Sequence, residues 1–210
     1  MSHLTGIKAI LVATATMLLG TAPAFSQIRC NIEGSVGIAT SIMNIDRSSD
    51  GFNTGDNDAG QQGFIGALGA GCDWYAQQPY VIGLLARYNF ASLSGTEKEE
   101  KFELGDFWSL GVRLGYRFNQ SVMAYGVAGW SETEISRIGH NGAWRPEGTA
   151  GGLWLGGGLE VNLTDTWAGR MEYSWHDFEK VDLQPAQATA DLHIVRAALV
   201  YRFGGAPWQK

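Results

Sequence analysis

Three features of the sequence predict an all-β fold, namely an eight-stranded antiparallel transmembrane β-barrel. Eight segments alternate apolar and polar residues with the period of a β-strand. The links between these segments are alternately short and long, as in barrels with short turns on one side of a membrane and longer loops on the other. The chain is also rich in glycine, with 29 residues, and in aromatic residues, with 8 Trp, 7 Tyr and 9 Phe. Such a composition suits a narrow, strongly curved barrel whose outer surface faces lipid.

The first 26 residues have the features of a secretory signal. Lys8 precedes an apolar run over residues 9–19, and the small-residue pattern Ala24-Phe25-Ser26 precedes Gln27. The alternative, an uncleaved anchor, is disfavoured because the run is short and rich in Ala and Thr. We therefore expect export and cleavage near Ser26, with a barrel over residues 27–203 and a short tail over 204–210.

The first four strands are predicted over residues 31–45, 62–76, 80–92 and 102–119. The fourth has the clearest alternation, because Trp108, Tyr116 and Phe118 fall on one face and Arg113 and Arg117 on the other. A strand with charges on one face and aromatic rings on the other fits a barrel wall between a polar lumen and lipid.

The last four strands are predicted over residues 121–130, 151–163, 167–178 and 191–203. In the sixth strand Trp154 is the one large apolar residue on the face that is otherwise small and polar. Short turns are expected near residues 77–79, 119–120 and 164–165, and long polar loops over 46–61, 93–101, 131–149 and 179–190. The long loops are expected to lie outside the cell.

The lipid-facing surface is expected to carry two aromatic girdles. Trp108 and Phe118 are ten residues apart, which corresponds to about 25 Å of height at about 40° of strand tilt. The periplasmic girdle is predicted to comprise Trp74, Tyr80, Tyr116, Trp167, Tyr201 and Phe203, and the outer girdle Phe64, Phe90, Trp108, Trp130 and Trp175.

Charged residues on the opposite faces of the strands are predicted to share the lumen. Charges with so little water must pair, and arginine offers bidentate partners to carboxylates. Two interpretations of these charges are possible: a structural network that fills the lumen, or a gated ion path. The small interior of an eight-stranded barrel favours the structural network. The predicted lumen residues are Glu33, Arg87, Arg113, Arg117, Glu160, Arg170, Glu172, His176, Arg196 and Arg202.

The segment GGLEVNLTDTWAGRMEYSWHDF and the last strand, ending LVYRF, resemble the opacity-type, OmpA-like outer-membrane β-barrels of Gram-negative bacteria, a porin family that includes outer membrane immunogenic proteins. The resemblance covers roughly residues 27–203. It implies an integral outer-membrane protein that contributes to envelope integrity and host contact. It also implies insertion by the barrel assembly machinery through a C-terminal aromatic signal. Here that signal would be internal, because Phe203 is followed by GGAPWQK.

We expect a non-enzymatic structural and interaction role, with adhesion or immune recognition through the external loops. Alternatives are a small pore, a haem- or ligand-binding surface protein, and a lipid-modifying enzyme. The haem hypothesis is weak because His140 and His193 are isolated in the sequence. The enzyme hypothesis would use Glu172, Ser174 and His176, but these share one strand face and would point in parallel instead of converging.

The expected partners are outer-membrane lipid and lipopolysaccharide, the barrel assembly machinery and host surface molecules. Nucleic acid is not expected, because the formal net charge is -6. Two cysteines cannot supply a four-cysteine zinc site, so we expect no metal or cofactor. Cys30 and Cys72 fall on the same face near the periplasmic ends of paired strands, and either a cross-strand disulfide or two free thiols fits the sequence.

Overall fold

In the computed structural model, which describes residues 27–46, 57–77, 79–94, 101–138, 147–183 and 186–203, the chain forms a closed barrel. Eight antiparallel strands pair in chain order, and β1 pairs with β8. The strands are β1 Gln27–Asp46, β2 Asn57–Gln77, β3 Tyr80–Ser94, β4 Lys101–Arg117, β5 Val122–Ile138, β6 Glu147–Asn162, β7 Trp167–Leu183 and β8 Ala186–Phe203. The predicted fold class is confirmed. The predicted signal and the C-terminal tail lie outside the described residues.

Within those residues, no helix is long and apolar enough to cross a membrane.

The register of the strands determines how steeply they tilt. The stagger is found by following paired residues from each strand to the next around the barrel. Starting at Glu33 on β1, the paired residues include Arg87 on β3, Ser131 on β5 and Phe178 on β7. It returns to β1 at Met43, ten residues beyond its start. With eight strands this stagger gives a tilt of about 40° and a rise of about 2.5 Å per residue along the barrel axis. The interior is therefore narrow, with room for side chains only.

Side-chain hydrogen bonds shape two of the periplasmic turns. The Asn119 carboxamide oxygen accepts hydrogen bonds from the Ser121 and Val122 amides at 2.7 and 2.9 Å. The Thr164 hydroxyl oxygen accepts one from the Trp167 amide at 2.9 Å. Asn and Thr favour such turns because their short polar side chains satisfy nearby backbone donors. These turns lie where the sequence predicts them.

The strands are longer at the external end than predicted. Residues 131–149 and 179–190 were expected to be loops, but β5 extends to Ile138, and β7 and β8 are separated by residues 184–185 alone. The prediction was wrong because a strand outside the membrane can be polar on both faces. The alternation that marks a lipid face then disappears while the backbone pairing continues. β7 continues eight residues beyond Trp175, which is about 20 Å along the axis.

The outer surface carries large apolar side chains, with aromatic residues at two heights. On β4 and on β7 the aromatic residues of the two girdles are eight positions apart, Trp108 with Tyr116 and Trp167 with Trp175. This spacing is about 20 Å along the axis, and the rings themselves extend the band. Tyr80 and Tyr116 pack edge to face, and Trp167 packs against Tyr201. Trp74, Phe203, Phe64, Phe90 and Trp130 also face outward, within the same two levels.

Cys30 and Cys72 form a disulfide across β1 and β2, where the two residues are direct partners. Cys30 is also paired with Phe203, so the disulfide lies beside the β1–β8 seam that closes the barrel. The bond closes a loop with a sequence separation of 42 residues. A cross-link of this span restricts the unfolded chain and stabilises the folded one.

We predict that thiol titration of the denatured, unreduced protein finds no reactive thiol and that prior reduction exposes two. The two cysteines are the only ones in the sequence, so the count reports on this bond alone. A Cys72→Ser variant, which frees one thiol, calibrates the assay. Two reactive thiols without reduction would contradict the pairing.

Candidate functional site

An ion network of four carboxylates and five arginines occupies the lumen. Seven of the eight strands contribute to it, because lumen-facing positions alternate with lipid-facing positions along each strand. All of its side chains are nearly inaccessible to solvent. The members of the lumen ion network are Glu33, Asp73, Arg87, Arg113, Glu160, Arg170, Glu172, Arg196 and Arg202.

Arg87 lies at the centre of one half of this network. Its Nε donates to Glu33 at 2.7 Å, and its Nη1 and Nη2 donate to the two oxygens of Glu172 at 2.7 and 3.2 Å. Planar guanidinium and carboxylate groups pair well in this two-bonded geometry. The second oxygen of Glu33 accepts from Arg170, which connects this half to the other.

Glu160 lies at the centre of the second half. One of its oxygens accepts from Arg170 Nη2 at 2.6 Å and from Arg113 Nη1 at 3.1 Å. The other accepts from Arg202, and Asp73 accepts from the second end of Arg113. A carboxylate shared by three arginines offsets the cost of removing all of these charges from water.

Tyr125 fills the space between the two halves. Its hydroxyl donates to Glu172 at 2.8 Å. The guanidinium carbons of Arg113 and Arg170 lie 5.3 and 5.4 Å from its ring centroid, within cation–π range. Tyr125 and Asp73 are lumen residues that were not predicted from the sequence. The strand period could have placed Asp73, because its neighbours Cys72 and Trp74 face outward.

Two of the predicted lumen arginines, Arg117 and Arg196, lie at the two ends of the ion network. Arg117 is half-buried at the periplasmic end, with its guanidinium 5.8 Å from the Tyr75 ring centroid. Arg196 donates to the Asn89 side-chain oxygen at 2.9 Å and lies 3.8 Å from Glu172. These contacts place Arg196 between the ion network and the external half of the lumen.

His176 belongs to a polar chain on the external side of the ion network, and Asn89 connects the two through Ser109 and Arg196. Ser109 and Ser131 hydroxyls are 2.8 Å apart, Ser131 is 2.9 Å from His176 Nδ1, and Ser174 is 3.3 Å from His176 Nε2. The expectation that Ser174 and His176 do not converge was wrong, because the imidazole turns back along its own strand. Glu172 does not join them, since it binds arginines and Tyr125.

The external side of this polar chain is closed by apolar residues. Phe107 and Phe178 pack edge to face against each other there. Trp154 stacks on His176 with ring centroids 5.8 Å apart, and the Arg87 guanidinium carbon lies 5.2 Å from the Trp154 ring, so Trp154 packs between the polar chain and the ion network. Trp154 therefore keeps to the lumen-facing alternation and points inward. We call the buried cluster the apolar plug; it comprises Ala39, Ile65, Leu93, Phe107, Ala150, Phe178, Ala190, Leu192 and Ile194.

Glycines leave room for the largest lumen groups. A Cβ added at Gly111 would lie 3.0 Å from the Trp154 ring, and one at Gly69 would lie 2.8 Å from Glu33 Cγ. Both distances are shorter than ordinary van der Waals contacts. Part of the high glycine content is thus required by the side chains that cross this narrow interior.

The described residues contain no group of three or more His, Cys, Asp or Glu side chains that could hold a metal ion. The carboxylates of the ion network bind arginines instead. The arrangement is suited to filling and holding a barrel, since each member of the ion network has an oppositely charged partner.

We predict that Glu160→Gln lowers the free energy of unfolding by about 3–5 kcal/mol, because it leaves three buried arginines without their shared carboxylate. Urea unfolding in phosphocholine micelles, followed by tryptophan fluorescence, measures the change. Glu132→Gln on the outer face of β5 is the matched control and is expected to change stability by less than about 0.5 kcal/mol. Equal effects of the two substitutions would show that the network does not hold the barrel.

Comparison with known proteins agrees with this architecture. The family model of the outer membrane protein beta-barrel domain matches residues 12–203. The 31 kDa outer-membrane immunogenic protein of Brucella melitensis is 26% identical over 170 residues, which are 71% of this chain and 70% of that protein. The 25 kDa outer-membrane immunogenic protein of Brucella abortus is 31% identical over 144 residues, 64% of each chain.

Among solved structures, the outer membrane protein OprG from Pseudomonas aeruginosa aligns with a TM-score of 0.55 at 13% identity, covering 86% of this chain and 98% of that one. At this identity the likeness concerns the fold alone. The match of the family model over most of the chain establishes the relationship, together with the closed eight-stranded barrel. The chain belongs to the outer membrane protein beta-barrel domain family and is an outer-membrane β-barrel protein.

Proposed function

We propose that the protein is a non-enzymatic component of the outer membrane that contributes to envelope structure and presents an interaction surface outside the cell. The observation that carries this proposal is the filled lumen. The ion network, the polar chain of His176 and the apolar plug follow one another along the barrel, with side chains that are nearly inaccessible. A barrel without an open interior acts through its outer surface and its ends.

The periplasmic end of the lumen is equally full. The cavity between Arg117, Asn162 and Arg202 has a volume of about 10 Å³, which leaves room for about one water molecule at most. Arg202 donates to the Asn162 side-chain oxygen at 2.6 Å, which ties β8 to β6 across this mouth. These contacts favour a barrel with a filled lumen over a pore.

The external end supports the interaction role. The strands continue beyond the outer girdle, so the paired strands extend outside the membrane before the segments that connect them. The Brucella relatives are named as immunogenic proteins. We propose for this chain the same exposure to antibodies and to host surface molecules, since loops on a rigid scaffold are the usual place for recognition.

The enzyme and haem hypotheses have less support. Ser174 and His176 are 0% and 1% exposed, so a substrate does not reach them. His193 is on the outer surface, where its Nδ1 lies 2.8 Å from the Tyr173 hydroxyl. His140 lies outside the described residues.

Assembly is proposed to use the barrel assembly machinery. Phe203 is the last residue of β8, faces outward and lies opposite Cys30 at the closing seam. An exposed terminal aromatic residue on the final strand is accessible for recognition before the barrel closes.

We predict that the purified protein reconstituted into planar lipid bilayers gives no stepwise conductance, because the apolar plug, the ion network and the Arg202–Asn162 contact fill the lumen over the described residues. A porin with a water-filled lumen, reconstituted in the same way, shows that the assay detects open channels. Reproducible conductance steps from this protein would contradict the proposal and support the pore hypothesis.

A further inference from the structure

We propose that the Cys30–Cys72 disulfide is formed in the unassembled chain by a thiol oxidant of the periplasm, before the barrel enters the membrane. The partner is a water-soluble protein that carries a reactive disulfide of its own. This order of events concerns assembly and goes beyond the proposed function. The observation behind it is the place of the bond on the outer surface of β1 and β2.

The disulfide lies on the lipid-facing surface, inside the periplasmic girdle. Trp74 of that girdle follows Cys72 by two residues on the same face of β2. Two residues correspond to about 5 Å along the barrel axis. On β1, the outward-facing Ile28 precedes Cys30 by the same spacing. The bond is therefore closer to the membrane centre than the level at which the girdle meets water and headgroups.

Apolar side chains surround the disulfide on this surface. Leu84 is the direct partner of Cys72 on β3, and Phe203 is the direct partner of Cys30 on β8. Ile32 follows Cys30 on the same face of β1. These three neighbours are between 47% and 51% exposed on the outer face of the barrel, where the membrane covers them with lipid. None of them carries a charge that stabilises a thiolate.

Such surroundings prevent thiol–disulfide exchange in the inserted barrel. Exchange requires a thiolate that attacks a disulfide sulfur, and apolar surroundings disfavour the thiolate. A water-soluble protein also cannot bring its own disulfide to cysteines that lipid covers. Oxidation therefore takes place while Cys30 and Cys72 are still in water.

The oxidant alone balances the reaction. The thiolate of one cysteine attacks the disulfide of the oxidant, which forms a mixed disulfide and releases one thiolate of the oxidant. The thiolate of the second cysteine then attacks the chain's own sulfur in the mixed disulfide and displaces the oxidant. Two electrons and the two thiol protons pass to the oxidant, which leaves as a dithiol. Because the chain has two cysteines, one intramolecular pairing exists and no isomerisation step is needed.

An early disulfide fixes the register of the first hairpin. The chain connects β1 and β2 at the external end, and the disulfide joins them at the periplasmic end. A slip of one residue turns every lipid-facing side chain of a strand inward, and the cross-link excludes such a slip. The hairpin also supplies the edge with which β8 closes the barrel, since Cys30 is paired with Phe203.

The first experiment follows the order of events in cells. Newly made protein is pulse-labelled, and its free thiols are blocked with N-ethylmaleimide at successive times. Folded and unfolded forms are then separated on an unheated gel, and the disulfide content of each is read by reduction and labelling with a heavy maleimide. We expect the disulfide in chains that have not yet folded. A folded barrel with two free thiols that is oxidised later would overturn the proposal.

The second experiment measures whether the membrane shields the bond. The oxidised protein in phosphatidylcholine nanodiscs, which leave both faces of the bilayer open to water, is treated with the charged reductant tris(2-carboxyethyl)phosphine. We expect reduction about 100-fold slower than in the urea-unfolded protein, because the charged reductant has to enter apolar lipid. Equal rates in the folded and unfolded protein would overturn the proposal.

A second cysteine pair outside the lipid is the matched control. Glu134 and Thr149 are direct partners on β5 and β6, and both are exposed. Glu134 follows Trp130 of the outer girdle by four residues, which is about 10 Å along the axis. The variant combines Glu134→Cys and Thr149→Cys with Cys30→Ser and Cys72→Ser.

We expect the control bond in the folded variant to be reduced within about tenfold of the rate in its unfolded chain. Its heat-shifted mobility shows that the variant is folded. Equal protection of the control bond would mean that the fold, and not the lipid, shields disulfides, which would overturn the proposal. The comparison of the Cys30–Cys72 bond in folded and unfolded protein does not depend on this variant.

Discussion

The pairing of buried charges in the lumen is the constraint on which the rest of the structure depends. In lipid, backbone polar groups must pair between strands and the outer face must be apolar, so charged side chains can only point inward. Glu160 and Arg87 each hold several partners from different strands. Each strand is thereby connected both to its neighbours in the sheet and to strands across the lumen.

Because the interior is filled, we propose that the protein functions through its outer surface and its ends. The ion network and the apolar plug fill the interior, and the remaining chemistry lies at the ends and on the lipid-facing surface. The proposed roles in envelope structure and surface recognition are consistent with a filled interior and an exposed outer surface.

The sequence predicted the fold because lipid imposes a strict pattern: period-two alternation and alternately short and long links. It also predicted most of the arginines and glutamates that point inward, but not Arg29, which is buried on the inward face of β1. Their partners depend on the stagger of the strands, which brings Arg170 to Glu33 across a separation of 137 residues. The apolar plug was missed because the lumen face was expected to be polar throughout, although Leu192 and Ile194 share that face with Arg196.

A direct test of the closed barrel is the gel mobility of the protein from the outer-membrane fraction, compared in detergent before and after boiling. A barrel held by continuous pairing and by the lumen ion network stays folded in detergent at room temperature, so the unheated protein is expected to migrate as a distinct band that shifts on boiling. Identical mobility of the two samples, with the protein recovered from the soluble periplasmic fraction, would contradict the account.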